Sequence, residues 1–269
     1  MIPLTVDNRM LAYESFGSCA NISHFVTTRM GGCGEGAYGT FNCSPYCGDD
    51  PATVEHNRQR LIEALPQAPR EFIIPRQTHG TEVRIIDEAF QAADATTRKA
   101  LLHGVDAVVT RLPGYCLCIS TADCIPLLLY DKRRQVIAAI HAGWRGTVNR
   151  IVAHTLEQMQ IHFGTQGADV WACIGPGISP ASFEVGEEVY DTFLRNGFNM
   201  QTLSLRNAQT GKPHIDLWEA NRLALLDFGV PAPQIETAGI CTYIHHEQFF
   251  SARRLGIQSG RILSGIMIH

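Results

Sequence analysis

Three short segments of the sequence place a reactive side chain among turn residues. They are Arg76-Gln77-Thr78-His79-Gly80, Thr121-Ala122-Asp123-Cys124-Ile125-Pro126 and His141-Ala142-Gly143-Trp144-Arg145-Gly146. Two histidines and one cysteine are a reasonable ligand set for zinc, and three protein ligands leave a fourth position for water. Zinc lowers the pKa of such a water toward neutrality, so the water could act as a nucleophile. His79, Cys124 and His141 are therefore a candidate metal site.

The same residues allow two other interpretations. Cys124 could be a thiolate nucleophile with His79 or His141 as its base, which would make the protein a metal-free cysteine hydrolase or amidase. Alternatively, the three residues are unrelated and Cys124 is a small buried apolar side chain. Asp123 either orients a histidine or caps a turn. The spacing between the segments is too long to decide among these interpretations.

Two arginines next to glycines are candidate anion binders. Arg145 leads into a predicted helix, where free backbone N–H groups favour phosphate, but it could equally pair with a carboxylate. Arg29 precedes the glycines at 31, 32, 34 and 36. That segment matches neither the Walker pattern nor Gly-x-Gly-x-x-Gly. The aromatic and arginine residues of segment 249–254 could hold a base and a phosphate, or could serve a non-enzymatic scaffold as its partner surface.

Composition limits the classes of function. The chain has 269 residues, of which 45% are hydrophobic and 18% charged, with a formal net charge of -4. These values exclude a disordered chain, and the slightly acidic balance argues against nucleic-acid binding. No segment approaches the roughly 18 apolar residues of a membrane span. The N-terminus lacks the pattern of a secretory signal, so we expect a cytoplasmic protein with reduced cysteines.

The elements that must position these side chains are short strands and a few helices. Strands are predicted at 23–28, 72–76, 82–86, 107–110, 116–120, 126–130, 136–140, 169–174, 235–240 and 262–268. Asp50-Pro51 predicts a helix start. Further helices are predicted at 147–163, 187–195 and 216–228. Because the strands bunch in the middle of the chain, we expect an α+β fold with mixed β-sheets and flanking helices, in a single domain spanning 1–269.

The motifs together resemble one family in an order that is kept from about Thr27 to the C-terminus. They are Thr27-Thr28-Arg29, Gly31-Gly32, Tyr38-Gly39-Thr40-Phe41-Asn42, Gly48-Asp49-Asp50-Pro51, Asn57-Arg58, Gln77-Thr78-His79-Gly80, Thr121-Ala122-Asp123-Cys124, His141-Ala142-Gly143-Trp144-Arg145-Gly146, Gly175-Pro176, Phe183-Glu184-Val185-Gly186, Asp216-Leu217, Cys241-Thr242 and Phe250-Ser251-x-Arg253-Arg254. The sequence resembles the YfiH-type purine nucleoside phosphorylases, also called the laccase-domain or multicopper polyphenol oxidase family.

The resemblance implies a zinc site at His79, Cys124 and His141. It also implies a fold related to the catalytic domain of cytotoxic necrotizing factor. The implied activities are phosphorolysis of adenosine, inosine, guanosine and methylthioadenosine, and deamination of adenosine. The implied partners are therefore purine nucleosides and phosphate. Some members are instead described as peptidoglycan editing factors, which would place the substrate among cell-wall intermediates.

The resemblance also suggests roles for residues around the candidate ligands. Arg145 and Arg29 would hold the phosphate. Asn42 and Asp123 would bind the substrate or orient a ligand. Cys43 and Cys47 stand where many relatives carry Leu and Val, and Ala252 stands where Tyr is common. We therefore expect this protein to differ from its relatives in substrate preference more than in chemistry.

The oxidase label of the family is not supported by the histidine pattern. A multicopper oxidase needs paired His-x-His motifs and a His-Cys-His run, whereas none of the 11 histidines stands in a His-x-His motif. One cysteine and two histidines could hold a single copper ion. They cannot build a four-copper relay, so copper is a minor alternative to zinc.

Overall fold

A computed structural model describes the whole chain, from Met1 to His269. Its strands are β1 (Ile2–Pro3), β2 (Met10–Ala12), β3 (Ile22–Thr27), β4 (Glu71–Ile73), β5 (Val83–Ile86), β6 (Ala107–Thr110), β7 (Tyr115–Thr121), β8 (Ile125–Asp131), β9 (Val136–Ala142), β10 (Val170–Ile174), β11 (Ser204–Arg206), β12 (Pro213–Ile215), β13 (Ile235–Thr237) and β14 (Ile262–Ile268). Its helices are α1 (Pro51–Ala64), α2 (Glu88–Ala92), α3 (Ala95–Leu101), α4 (Trp144–Val148), α5 (Ile151–Phe163), α6 (Glu187–Arg195), α7 (Met200–Leu203), α8 (Leu217–Asp227) and α9 (Ala252–Leu255).

The strands form two six-stranded sheets and a separate β11–β12 pair. The first sheet has the order β1-β2-β3-β14-β7-β4, and the second has the order β13-β10-β8-β9-β6-β5. Both sheets are mixed, since β4 runs parallel to β7 in the first, and β13 and β5 run parallel to their neighbours in the second. The prediction of an α+β fold with mixed sheets is confirmed.

Alternating side chains of the central strands enter two different cores. In β8, Leu127 and Leu129 pack in the core shared with the helices α5 and α8, whereas Leu128 and Tyr130 pack between the two sheets. This is the two-residue period of an extended strand that is buried on both faces. Helix α1 covers the outer face of the first sheet, where Leu61 packs in a third cluster. None of the helices combines the length and apolar character needed to cross a membrane.

Several predicted elements have the observed bounds, others differ by one to three residues at an end, and one predicted helix is divided in two. Strands 107–110 and 262–268 and helix 187–195 are confirmed. Asp50 caps α1 as expected, because its carboxylate accepts a hydrogen bond from the backbone N–H of Thr53. The single helix predicted over 147–163 is wrong, since Arg150, at a φ of 65°, separates α4 from α5. The hydrophobic pattern hides this break because Val148 and Ile151 enter the same core.

Two connections between the sheets pass at one end of the molecule. Residues 74–82 lead from β4 to β5 and carry His79, while residues 122–124 lead from β7 to β8 and carry Cys124. His141 lies near the end of β9 and pairs with Pro126 at the start of β8. Because β4 and β7 are parallel neighbours, their C-terminal ends lie at the same end of the first sheet, and both connections start there. The strand order therefore brings the three predicted segments together.

Candidate functional site

The potential ligand atoms of His79, Cys124 and His141 all lie within 4.8 Å of one another. The His79 side chain is exposed, Cys124 is half-buried and His141 is buried. All three line a cleft of about 330 Å³, which we call the cleft below. It is the only place in the chain where three or more His, Cys, Asp or Glu side chains converge in this way.

The donor set fits a zinc ion. Zinc bonds of about 2.0–2.3 Å to nitrogen and sulfur place tetrahedral ligands roughly 3.3–3.6 Å apart. Separations of up to 4.8 Å therefore need only small side-chain movements to reach that geometry. Three protein ligands at the wall of an open cleft leave the fourth position toward the cleft, as in catalytic zinc sites.

Asp106 holds the side chain of His141 and the backbone of His79 from behind, and the sequence analysis missed it. Its Oδ1 accepts hydrogen bonds from His141 Nδ1 at 2.7 Å and from the His79 N–H at 2.9 Å. Its Oδ2 accepts from the N–H groups of Thr78 at 3.2 Å and Gly80 at 2.8 Å. The bond to Nδ1 fixes the ring of His141 with Nε2 toward Cys124, as outer partners of metal-binding histidines do. The only sequence signal was a carboxylate directly before a buried strand, which must find a partner.

Two residues next to the site have strained backbone conformations. The φ angle is 63° at His79 and 83° at Asp123, in a region that non-glycine residues rarely adopt. Asp106 stabilises the conformation of His79, because its carboxylate accepts hydrogen bonds from the backbone N–H groups of residues 78–80. Asp123 stabilises its own conformation, since its carboxylate accepts from the Thr242 hydroxyl and the Arg253 N–H, both at 2.7 Å. Asp123 therefore anchors the C-terminal segment and contacts neither histidine ring.

The charges at the site stabilise one another. Burial raises the pKa of the Cys124 thiol, but His141 and His79 together outweigh it and lower that pKa to about 6. Burial lowers the pKa of His141, but Cys124 and Asp106 raise it to about 9. For Asp106, the hydrogen bonds from His141 and the loop outweigh burial and hold the pKa below its usual value. Both shifts favour a thiolate on Cys124 beside an imidazolium on His141 when no metal is bound.

Close approach of the three segments depends on a glycine and a glutamine. A Cβ at Gly143 would lie 3.0 Å from Cys124 Sγ and 3.1 Å from His79 Cδ2. A side chain there would therefore push the ligands apart. Gln77 donates from Nε2 to the Ser120 carbonyl and accepts from the Ser120 N–H, both at 2.8 Å. This pair of bonds fastens the connection that carries His79 to the end of β7.

Arg29 and Asn42 do not line the cleft. The guanidinium of Arg29 donates to the carbonyls of Gly39 and His246, both at 2.8 Å. Asn42 is fully buried. Its amide donates to the Asp49 carboxylate at 2.8 Å, and its oxygen accepts from the backbone of 261 at 3.1 Å. The polar groups of both residues are therefore largely used within the protein.

Arg145 also lies outside the residues that line the cleft. It is exposed in the first turn of α4. Its guanidinium lies 4.4 Å from the centre of the Trp144 ring, an ordinary cation–π contact. No carboxylate pairs with it, so of the predicted phosphate binders it is the one with free hydrogen-bond donors.

The cleft is also lined by residues that the sequence analysis did not select as binding groups. Tyr46 is 45% exposed and Ile257 is 80% exposed, and both line the cleft. Ser120 and Thr121 also line the cleft, but their hydroxyl oxygens are buried and have no hydrogen-bond partner. The accessible surface that these residues add to the cleft is therefore largely the apolar surface of Tyr46 and Ile257, as in many sites for small ring compounds. Cys47 and Ala252, two of the departures noted above, also line the cleft.

The family of the chain follows from a match that spans most of its length. A family model described as multi-copper polyphenol oxidoreductase laccase matches residues 23–269. The chain belongs to this family. The chain is similar to a purine nucleoside phosphorylase of Bacteroides thetaiotaomicron, which is 63% identical over the full length of both chains. An adenosine deaminase, RL5, from an unknown prokaryotic organism is 44% identical over 93% of this chain and 95% of its own.

Solved structures of the family share the architecture. The hypothetical protein YfiH of Bacillus licheniformis is 28% identical, with a TM-score of 0.87 and 97% of each chain covered. YlmD of Geobacillus stearothermophilus is 30% identical, with a TM-score of 0.86, 96% of this chain and 94% of its own covered. The YfiH-like fold is thereby confirmed. The single His-Cys-His group does not provide the ligands of a multicopper cluster, whatever the family's description.

Proposed function

We propose that the protein is a zinc-dependent enzyme of purine nucleosides. It would split adenosine, inosine, guanosine and methylthioadenosine with phosphate, and would deaminate adenosine. The observation that carries the proposal is the convergence of His79, Cys124 and His141 in the cleft, with Asp106 behind His141. The names of the relatives, a purine nucleoside phosphorylase and an adenosine deaminase, support the substrate class. When bound, zinc would supply a Lewis acid and lower the pKa of water.

The residues of the cleft would bind and orient the nucleoside. The purine would lie against Tyr46 and Ile257, whose exposed apolar surfaces it would cover. In deamination, water replaces the amino group, which leaves as ammonia. In phosphorolysis, a phosphate oxygen bonds to the ribose carbon as the bond to the purine nitrogen breaks.

The test is turnover of adenosine by metal-depleted and zinc-reconstituted protein, with and without phosphate, followed by chromatography of the products. We expect inosine without phosphate, adenine and ribose phosphate in addition when phosphate is present, and neither product from metal-depleted protein. The oxidase alternative is tested by reconstituting the protein with copper and assaying the oxidation of a phenol. Zinc-loaded protein that leaves all four nucleosides unchanged would contradict the proposal.

The geometry also supports a second candidate, a metal-free cysteine hydrolase or amidase acting on cell-wall intermediates. The sulfur of Cys124 faces the cleft beside two imidazoles, which is the arrangement of a nucleophile and its base. The low pKa of the thiol agrees with this role. A fully active, metal-free protein with a covalent adduct on Cys124 would favour the hydrolase over the zinc enzyme.

Alkylation of Cys124 with iodoacetamide should report the charge of the site. In metal-free protein the rate should rise tenfold per pH unit below about pH 6 and level off above it, because the thiolate fraction is then near its maximum. An ordinary thiol, with a pKa of about 8.5, would keep gaining reactivity to higher pH. Peptide mapping by mass spectrometry measures the rate, and exposed Cys33 in the same digest serves as the internal standard. Zinc should protect Cys124; an ordinary profile without metal would refute the thiolate–imidazolium pair.

A further inference from the structure

A second hollow, of about 390 Å³, adjoins the cleft. We call it the basic hollow, because Arg76, Lys99 and His103 line it together with Pro45, Tyr46 and Gly48, and no acidic residue does. The segments 44–48 and 75–77 separate the two spaces, since neighbouring residues of each segment line one or the other. Tyr46 lines both, so the two spaces lie on either side of one side chain.

The basic side chains of the basic hollow have no acidic partner in the protein. None of the ion pairs in the structure includes Arg76, Lys99 or His103. Arg98, next to Lys99 in the chain, shows the contrast, because it pairs with Glu71 at 2.6 Å. Arg76 and Lys99 are two unpaired cations in a concave site of a chain with a net charge of -4, and such cations attract anions.

The backbone places Arg76 and His103 side by side. Arg76 and His103 form a parallel β-bridge. The Arg76 N–H donates to the Leu102 carbonyl, and the Gly104 N–H donates to the Arg76 carbonyl, both at 2.9 Å. Lys99 lies in the last turn of α3, shortly before this bridge. Arg76 is also three residues from His79, so one connection carries both a basic side chain and a candidate metal ligand.

We propose that the basic hollow binds the phosphate group of a ligand that also reaches the cleft. The ligand is either inorganic phosphate or a nucleoside 5′-phosphate, whose nucleoside part would occupy the cleft. Arg76 offers planar paired donors to two phosphate oxygens, Lys99 offers a compact charge, and His103 offers a ring N–H. The inference rests on the proposed function only where phosphate is taken as a reactant. Binding of phosphate in the basic hollow requires no turnover.

Calorimetric titration of zinc-loaded protein with inorganic phosphate and, separately, with adenosine 5′-phosphate tests the proposal. The variant combines Arg76→Gln with Lys99→Gln, both exposed side chains. The control is Arg111→Gln, which removes an exposed arginine that lines neither space. We expect the variant to bind at least one of the two ligands about tenfold or more weakly, because charge-assisted bonds are lost. The control should bind as the unchanged protein does.

The outcome also identifies the source of the phosphate. Weaker binding of adenosine 5′-phosphate alone assigns the hollow to nucleotides, and weaker binding of inorganic phosphate assigns it to the free ion. If the unchanged protein binds neither ligand, or if the variant binds both with unaltered affinity, the proposal is overturned. Adenosine turnover is measured separately, so an inactive protein that still binds phosphate through these residues would refute the proposed function and leave this inference standing.

Discussion

Serine in place of Cys124 is expected to remove zinc from the protein and to abolish turnover. A hydroxyl stays protonated at neutral pH, whereas the Cys124 thiolate is the anionic ligand of the group and neighbours both imidazoles. Zinc affinity should fall by more than about 100-fold. Mutation of a residue that only hydrogen-bonds to a metal ligand already lowers metal affinity ten- to 100-fold, and Cys124 would be a ligand itself. Turnover of adenosine should fall by about 1000-fold or more, because a metal ion supplies several kcal/mol of transition-state stabilisation. Metal analysis after dialysis and a product assay measure the two effects.

Cys33→Ser is the matched control for this experiment. It makes the same change of sulfur to oxygen at an exposed thiol outside the cleft. Zinc content and adenosine turnover should equal those of the unchanged protein. A Cys124→Ser protein that retains one zinc ion per chain at unaltered affinity would exclude the sulfur from the metal site. A loss of turnover with no metal in the active parent would instead support the cysteine hydrolase.

Asparagine in place of Asp106 should weaken zinc binding by about tenfold to 100-fold and destabilise the fold. The carboxylate is fully buried and accepts four hydrogen bonds, from His141 and from the loop of 78–80. An amide keeps one acceptor oxygen and turns an NH₂ group toward two N–H donors. The free energy of unfolding should fall by about 2–5 kcal/mol, because buried donors lose their acceptor. Zinc titration and chemical denaturation of the metal-free protein measure these changes.

Asp131→Asn separates the effect on the metal site from general destabilisation. Asp131 is also fully buried and accepts two backbone N–H bonds, from residues 133 and 134. It lies at the far end of β8, roughly 20 Å along the strand from Cys124. Zinc affinity should not change in this variant. Equal zinc affinities in the Asp106→Asn and Asp131→Asn proteins would show that Asp106 does not position His141 for the metal.

Asp106 also links the charges of the site. Its carboxylate balances the imidazolium of His141, which in turn stabilises the Cys124 thiolate. The three groups therefore form an alternating series of charges. Deprotonation of His141 above about pH 9 removes the positive member, so the thiolate is then less stabilised. Metal binding at neutral pH must release the proton of this imidazolium.

The sequence was sufficient for features that depend on local chemistry. Short continuous apolar runs define β8 and β9, which are buried on both faces, and Asp50 with Pro51 defines the start of α1. The types of the three candidate ligands, and their place at strand ends, are also visible in the chain. The break between α4 and α5 at Arg150 was not visible in the sequence, because the spacing of apolar residues continues through it.

The tertiary structure decided which polar groups are free and which are already used. Arg29 and Asn42 have the residue types of binding groups, but folding commits them to carbonyls and to a carboxylate within the protein. Asp123 and Asp106 are both aspartates beside strands, yet only Asp106 reaches His141. The sequence by itself determined the donor types and the strands that carry them, since these follow from each residue and its neighbours in the chain. Their convergence, and the free cations of the basic hollow, depend on how two sheets pack, and that is set by contacts between distant segments.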